Sequence, residues 1–205
     1  MTVVIALEGP SYAGKSTAVR HLRDRGFEDR AYIADCYVKQ LGRQGTVPPA
    51  HTASADEQVA AFETFMAVEE ERVCTALSAA KPFVILDRSV DTLLAHAHAL
   101  DALFGYAVQH QLRDRLQALP HLRPDHTLYL DVPAEALGLR RKTAGHTAAE
   151  PNYFLHEPTF LTRTRDYFHA RAQPPVSREV TVLPADASRD DIAHTVEALV
   201  SFWMG

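Results

Sequence analysis

Residues 9–16 of this 205-residue chain read GPSYAGKS. They fit the pattern G-x-x-x-x-G-K-[ST], in which backbone N–H groups surround phosphate oxygens. The apolar run Val3–Leu7 comes just before the pattern and is typical of a buried parallel strand. Residues 17–25 follow it with apolar side chains at helical spacing. This order of strand, glycine loop and helix is the context that the motif requires, so the sequence predicts a phosphate-binding loop.

Each residue type in this loop has a physical role. Gly9 and Gly14 allow backbone conformations that a side chain would forbid. The N–H groups can then converge on phosphate at the positive end of the next helix dipole. Lys15 would add a cation at the β- and γ-phosphates, and Ser16 would place a hydroxyl on Mg²⁺, so ATP and Mg²⁺ are the predicted cofactors. The residues predicted to bind the nucleotide here are Gly9, Tyr12, Ala13, Gly14, Lys15, Ser16 and Thr17.

Composition excludes several classes of protein. The net charge of −5 leaves no basic face for nucleic acid, so no nucleic-acid partner is expected. Cys36 and Cys74 are too few for a disulfide framework and favour a reducing, cytoplasmic location. No apolar run is long enough to span a membrane. We expect a single domain over residues 1–205.

Four more apolar stretches predict strands, at residues 32–35, 83–87, 127–131 and 179–183. Helical patterns separate them, including residues 55–80 and residues 89–119, the latter with Gly105 as a candidate break. Residues 41–54 are predicted as a loop. Strands that alternate with helices predict an α/β fold with a five-stranded parallel sheet flanked by helices.

Ligands of parallel sheets bind at the carboxyl ends of the strands, where the pattern places Asp35, Asp87 and Arg88. Asp87 could hold Mg²⁺ through water or accept a proton from the substrate. Arg88 could grip the substrate or the transferring phosphoryl group. Asp35 is a candidate general base if the acceptor is a hydroxyl. All three are predicted catalytic residues; Asp35 and Arg88 are also predicted to bind the substrate.

The polar stretch 143–152 follows the basic residues Arg140, Arg141 and Lys142. Phosphoryl transfer spreads negative charge over the equatorial oxygens, and arginines on a closing lid can stabilise that charge. We therefore expect a lid at about residues 140–155, with Arg140 at the nucleotide and Arg141 in catalysis.

These residues together resemble the thymidylate kinase group of P-loop kinases, with a secondary likeness to deoxynucleoside kinases. The likeness rests on Glu8-Gly9 with residues 13–17, on Leu86-Asp87-Arg88, on residues 122–133, and on the basic helix, the lid and the Tyr167-bearing helix. It implies a P-loop kinase fold with a lid, and transfer of the γ-phosphoryl group of ATP to a nucleoside monophosphate or a nucleoside. It also implies a homodimer.

Two further roles come from the resemblance alone. Asp186 falls in the loop that lies beside adenine in the family, and Arg72 falls where the family has an arginine facing the thymine base. The chain departs from thymidylate kinases at Asp35-Cys36-Tyr37, at Ser89 and at Ala97, where a glutamine often contacts the base. The acceptor therefore stays open between a nucleoside, a modified nucleotide and another small molecule.

Two alternatives remain from the sequence. The chain could phosphorylate a hydroxyl of a small molecule other than a nucleotide, or it could be a P-loop regulatory ATPase. A GTPase switch should carry the base-reading motif Asn-Lys-x-Asp after a strand, and the sequence has none. The sequence does not distinguish ATP from GTP.

Overall fold

A computed structural model describes residues 2–145, 153–171 and 173–205 of the chain. The strands are β1 (Val3–Glu8), β2 (Ala31–Ala34), β3 (Phe83–Asp87), β4 (His126–Asp131) and β5 (Glu179–Pro184). The α-helices are α1 (Lys15–Asp24), α2 (Tyr37–Gln44), α3 (Ala55–Ala79), α4 (Val90–Phe104), α5 (Gln109–Ala118), α6 (Ala134–Thr143), α7 (Pro158–His169) and α8 (Arg189–Met204). Short 3₁₀ turns cover Phe27–Asp29 and Tyr153–His156.

The strands form one parallel sheet in the order β2-β3-β1-β4-β5. Strand β1 lies at the centre, where Leu7 pairs with Asp87 of β3 on one side and with Leu128 of β4 on the other. This arrangement confirms the predicted α/β fold with a five-stranded parallel sheet. It also brings the carboxyl ends of β1 and β3 side by side.

Helices cover both faces of the sheet because successive strand side chains point to opposite faces. Ile5 and Leu7 pack with residues of α1 and α8, including Leu22 and Val196, in one fully buried cluster. Residues of α2, α3, α4, α5 and α7 form a second cluster around Phe62. Burying a side chain of this size contributes about 1.5–3 kcal/mol, so the two clusters stabilise the layers on either side of the sheet.

One predicted boundary needs correction, and one predicted break in a helix is confirmed. The loop predicted over residues 41–54 is wrong at its start, because α2 continues to Gln44. Tyr37 and Leu41 lie one turn apart and are both buried, and this packing outweighs the low helix propensity of Gly42. The predicted helix over residues 89–119 is interrupted where Gly105 adopts a left-handed φ of +71° and ends α4.

No helix in the described part of the chain is long and apolar enough to cross a membrane. Residues 146–152 of the predicted lid lie outside the described residues. Before them, α6 continues to Thr143, and after them comes the 3₁₀ turn Tyr153–His156.

The buried carboxylate of Asp91 joins α4 to the segment that leads into β5. It accepts hydrogen bonds from the Tyr167 hydroxyl at 2.6 Å and from the Val176 N–H at 2.7 Å. The N–H and hydroxyl of Ser177 donate to its other oxygen. Asp91 is fully buried, so water cannot replace these partners.

We expect Asp91→Ala to lower the free energy of unfolding by roughly 3 kcal/mol or more, because several buried donors lose their acceptor at once. Urea denaturation followed by circular dichroism measures this change. The matched control is Asp114→Ala, because Asp114 is 61% exposed and pairs with His110 on the surface. That control should stay within about 0.5 kcal/mol of the wild type. Equal losses in the two variants would contradict the role given to Asp91.

Candidate active site

The phosphate loop connects β1 to α1 and passes close to β4. Gly9 adopts a φ of +130°, and a Cβ atom at this position would lie 2.7 Å from the carbonyl oxygen of Leu130. Both the backbone angle and the space therefore require glycine. Tyr12 takes a left-handed φ of +64° in the same loop.

The loop offers donors to an anion. No side chain caps the N-terminus of α1, and its first turn holds no acidic residue, so the first N–H groups of that helix are available. The Lys15 ammonium donates to the carbonyl oxygens of Gly9 at 2.7 Å and Pro10 at 2.8 Å. Burial lowers the pKa of Lys15 to about 7. These groups fit the phosphates of a nucleotide.

Glu8, the last residue of β1, is a buried acid whose role at the site the sequence did not reveal. Its carboxylate accepts hydrogen bonds from the Ser89 N–H at 2.6 Å, the Ser89 hydroxyl at 2.8 Å and the Thr92 hydroxyl. Burial raises its pKa, although the charge of Arg88 and these hydrogen bonds oppose the shift. Glu8 thereby ties the end of β1 to the start of α4.

Asp87 and Arg88 leave β3 beside this carboxylate, and both line the cavity described below. Arg88 has a left-handed φ of +70°. Its N–H donates to the carbonyl of Leu7 at 3.1 Å. The structure thus brings these two predicted residues to the phosphate loop.

A cavity of about 770 Å³ extends from the phosphate loop. This volume lies within the range of small-molecule sites. One end is walled by the loop together with Asp87 and Arg88. The other end is mostly apolar, and its walls include Val47, Pro48, Phe62, Phe65, Leu93 and Phe160.

Gln58 and His96 supply polar groups at the apolar end. The His96 Nε2 lies 2.8 Å from the carbonyl oxygen of Ala50 and must therefore donate, which leaves Nδ1 as an acceptor 3.5 Å from the Gln58 amide nitrogen. Burial lowers the pKa of His96 to about 4, so the ring is neutral. The sequence indicated no role for Gln58, because only the fold brings α3 against α4.

Asp35 lies at the end of β2 and pairs with three cations. These are Lys39 at 2.8 Å, Arg23 at 3.2 Å and Arg43 at 3.2 Å. Partial burial would raise its pKa, but the hydrogen bond from Lys39 and the charge of Arg23 outweigh burial and lower it. Asp35 is not among the described residues that line the cavity. Its role as general base stays a prediction, and a carboxylate held in this way is a weak base.

Arg72 is fully buried on α3 and also lies outside the described lining of that cavity. It donates to Glu69 at 3.0 Å and to the carbonyl oxygen of Arg88 at 2.8 Å. Its contact with a substrate base stays a prediction.

Arg140 reaches the phosphate loop from α6. Its guanidinium donates to the carbonyl oxygens of Ala185 and Ala187 at 2.8 Å each, and to that of Tyr12 at 3.3 Å. It thereby connects the loop to the segment that carries the exposed Asp186, as a shared nucleotide site would require. Arg141, the next residue, is half-buried, and its catalytic role stays a prediction.

The residues predicted to bind Mg²⁺ fit that ion. Ser16 is exposed at the loop, and both its side chain and Asp87 border the cavity. Hydroxyl and carboxylate oxygens suit Mg²⁺, which takes one or two such ligands and relies on substrate phosphates for others. Bound there, the ion would neutralise charge on the transferring phosphate.

Comparisons with known proteins agree with this geometry. Residues 4–157 match the model of a family described as AAA domain. The fold is shared with deoxyadenosine kinase from M. mycoides, solved with bound dATP, at a TM-score of 0.67 and 14% identity over 97% of this chain and 100% of that one. It is shared with thymidylate kinase from Candida albicans at a TM-score of 0.69 and 17% identity over 98% of this chain and 92% of that one. No curated protein matches the sequence. The P-loop kinase fold that the sequence predicted is confirmed.

We expect Gly9→Ala to lower the free energy of unfolding by roughly 2 kcal/mol or more and to weaken ATP binding, because the methyl group meets the Leu130 carbonyl. Urea unfolding and titration with a fluorescent ATP analogue measure the two effects. The matched control is Gly42→Ala, since a Cβ atom there meets nothing within 4 Å. That control should bind ATP normally and gain up to about 1 kcal/mol of stability. Normal ATP binding by Gly9→Ala would contradict the constraint at the loop.

Proposed function

The chain belongs to the AAA domain family, and we propose that it is an ATP-dependent kinase that transfers the γ-phosphoryl group to a nucleoside-like acceptor. The observation that carries the proposal is the single cavity that holds the phosphate loop at one end and an apolar chamber at the other. A regulatory ATPase needs space for its nucleotide alone. A kinase needs space for a second substrate within reach of the same phosphates.

The nucleotide end takes its roles from the loop. Lys15 binds the β- and γ-phosphates, and Arg140 lies at the adenosine side with Asp186. Ser16 would hold Mg²⁺ with the phosphates, and Asp87 would either complete that site or take the proton of the acceptor. Arg88 lines the same cavity as Lys15 and His96. Burial accounts for most of the lowered pKa values of Lys15 and His96, and the charge of Arg88 lowers both further.

The charges in the cavity favour a hydroxyl acceptor over a monophosphate. Among the described lining residues the cations are Lys15, Arg88 and Arg189, apart from histidines. Lys15 belongs to the phosphate loop. Arg189 begins α8 beside Arg140. The pKa of Arg140 is lowered mainly by burial and, to a smaller extent, by the charge of Arg189. Among the arginines and lysines of the described lining, this leaves Arg88 alone to bind the acceptor. A phosphate acceptor carries about two negative charges and would call for more cations than a hydroxyl does.

A hydroxyl acceptor needs a base, and Asp87 is better placed than Asp35. Asp87 borders the cavity, whereas Asp35 would first have to leave three cations. Aromatic walls around Phe62 and Phe65 suit a planar ring on the acceptor. A nucleoside combines such a ring with a free hydroxyl. The second candidate function is a kinase that phosphorylates a hydroxyl of another small molecule.

Location in the cytoplasm and assembly as a homodimer stay predictions.

The test is a panel of acceptors scored for ADP release with MgATP. The panel contains nucleosides, the matching nucleoside monophosphates and unrelated alcohols. We expect a nucleoside to stimulate ADP release most. Lys15→Ala should lower the stimulated kcat by about 10²-fold or more while the circular dichroism spectrum stays unchanged. The matched control is Lys81→Ala, which should keep the wild-type kcat, because Lys81 precedes β3 at the amino ends of the strands, away from the phosphate loop, and donates to the Asp29 carbonyl. Stimulation by a monophosphate alone would overturn the hydroxyl acceptor, and near-wild-type turnover by Lys15→Ala would overturn the kinase.

ATP binding should also take up a proton. Lys15 has a pKa of about 7 because it is buried, and phosphate beside the ammonium favours its charged form and raises that pKa. At about pH 8 most of the protein binds ATP with Lys15 neutral and gains roughly one proton; at about pH 6 Lys15 is already charged and the uptake is small.

Isothermal titration with MgATP in buffers of different ionisation enthalpy measures this uptake. The control is Lys15→Arg, because arginine keeps its charge at both pH values. That variant should bind without proton uptake. Equal uptake by the two proteins at about pH 8 would contradict the assignment to Lys15.

A further inference from the structure

Arg88 carries a backbone strain that its surroundings must hold. A left-handed φ of +70° costs a residue other than glycine about 1–3 kcal/mol, and such a conformation persists when neighbouring contacts fix it. Three more residues of the described chain share this feature, namely Tyr12, Ala80 and Ala107. Of these four, Tyr12 and Arg88 border the cavity, which places strain at the site.

Hydrogen bonds fix the backbone on both sides of Arg88. Its N–H donates to the carbonyl of Leu7 at 3.1 Å. The next residue, Ser89, donates its N–H and hydroxyl to Glu8. The carbonyl of Arg88 accepts the Arg72 Nη2 at 2.8 Å. This carbonyl and the Ser89 N–H belong to one planar peptide group, which is therefore held at its oxygen by Arg72 and at its nitrogen by Glu8. Removing Arg72 would take away the contact at the oxygen.

Arg72 is itself a rigid donor. Its Nη1 donates to Glu69 at 3.0 Å, and its guanidinium lies 4.4 Å from the centre of the Tyr37 ring. Glu69 is held in turn by the Tyr37 hydroxyl and the Leu122 N–H, both at 2.8 Å. The side chains of Arg72 and Glu69 have no exposed surface. Glu69 and the Tyr37 ring therefore hold the Arg72 guanidinium in place, and the guanidinium in turn holds the carbonyl of Arg88.

We propose that Arg72 is a positioning residue that holds Arg88 in its left-handed conformation, so that the Arg88 side chain faces the cavity beside the phosphate loop. This assignment replaces a contact between Arg72 and the substrate base. The kinetic consequence rests on the proposed kinase function, whereas the backbone conformation does not.

Nuclear magnetic resonance tests the backbone conformation directly. The N–H to Hα coupling and the Cα and Cβ shifts of Arg88 report a left-handed φ in the wild type. We expect Arg72→Met to lose this signature. The matched control is Arg113→Met, because Arg113 also lies over a tyrosine ring, at 6.0 Å from Tyr167, and also has an unpaired Nε. It should leave Arg88 unchanged.

A left-handed Arg88 in folded Arg72→Met would overturn the proposal, and so would equal loss in both variants. If Arg72→Met fails to fold, Arg72→Lys is the second variant. Lysine keeps a cation beside Glu69, but it lacks the planar guanidinium that donates to Glu69 and to the Arg88 carbonyl at the same time. It should shift the Arg88 signals part of the way. Wild-type signals in that variant would equally count against Arg72.

A double-mutant cycle tests the kinetic consequence with MgATP and the best acceptor of the panel. Arg72→Met should lower kcat by about tenfold or more, because a displaced side chain at the reacting groups is costly. In the Arg88→Ala background the same change should lower kcat no further. A merely structural role would lower kcat in both backgrounds, which overturns the proposal. If no acceptor stimulates ADP release, the proposed function fails and the resonance measurement still decides the role of Arg72.

Discussion

The buried carboxylate of Glu8 is the constraint on which the site depends. A buried carboxylate is costly unless it is hydrogen-bonded, and Glu8 has no exposed surface but accepts three hydrogen bonds. Ser89 and Thr92 donate hydrogen bonds to it. The charge of Arg88 opposes the rise of the Glu8 pKa that burial causes, and the charge of Glu8 in turn raises the pKa of Lys15. Because Glu8 ends β1 and its donors Ser89 and Thr92 lie at the start of α4, the carboxylate fixes the strand that leads into the phosphate loop relative to α4.

The charges around Glu8 alternate in sign and so depend on one another. Glu8 and Asp87 raise the pKa of Lys15, while burial and Arg88 lower it by more. A nucleotide that brings several negative charges beside Lys15 favours the charged form of its ammonium. The loop can therefore respond to its ligand through protonation without a change in the fold.

The parts of the structure that follow from local sequence could be predicted, and the parts that depend on distant contacts could not. The motif of residues 9–16 and the apolar strands are local signals, and both appear as expected. Asp35 was predicted as a base because it ends a strand, but its ion pair with Arg23 joins residues on different elements. Arg72 was assigned through resemblance, and its bond to the Arg88 carbonyl depends on the packing of α3 against the end of β3. Helix α2 was partly missed because Gly42 weakens its pattern while burial of Leu41 supports it.

The apolar end of the cavity is built in a different way from the phosphate end. His51, in the loop before α3, stacks on Phe104 and on Phe154 with ring centres 4.7 Å from each, and those two rings also contact each other at 5.9 Å. Phe154 contacts Phe160, which in turn packs edge-on against His96 at 5.3 Å.

This aromatic chain joins the loop and a 3₁₀ turn to the helices, whereas the phosphate end rests on paired strands. Strand pairing tolerates little change, since a shift of one residue moves every side chain to the other face. Loops and aromatic contacts accept substitution far more readily. A chain can therefore share the fold of the two solved kinases at 14–17% identity. Under the proposed function, the choice of acceptor would depend on polar residues of the cavity such as Gln58 and His96 and not on the fold.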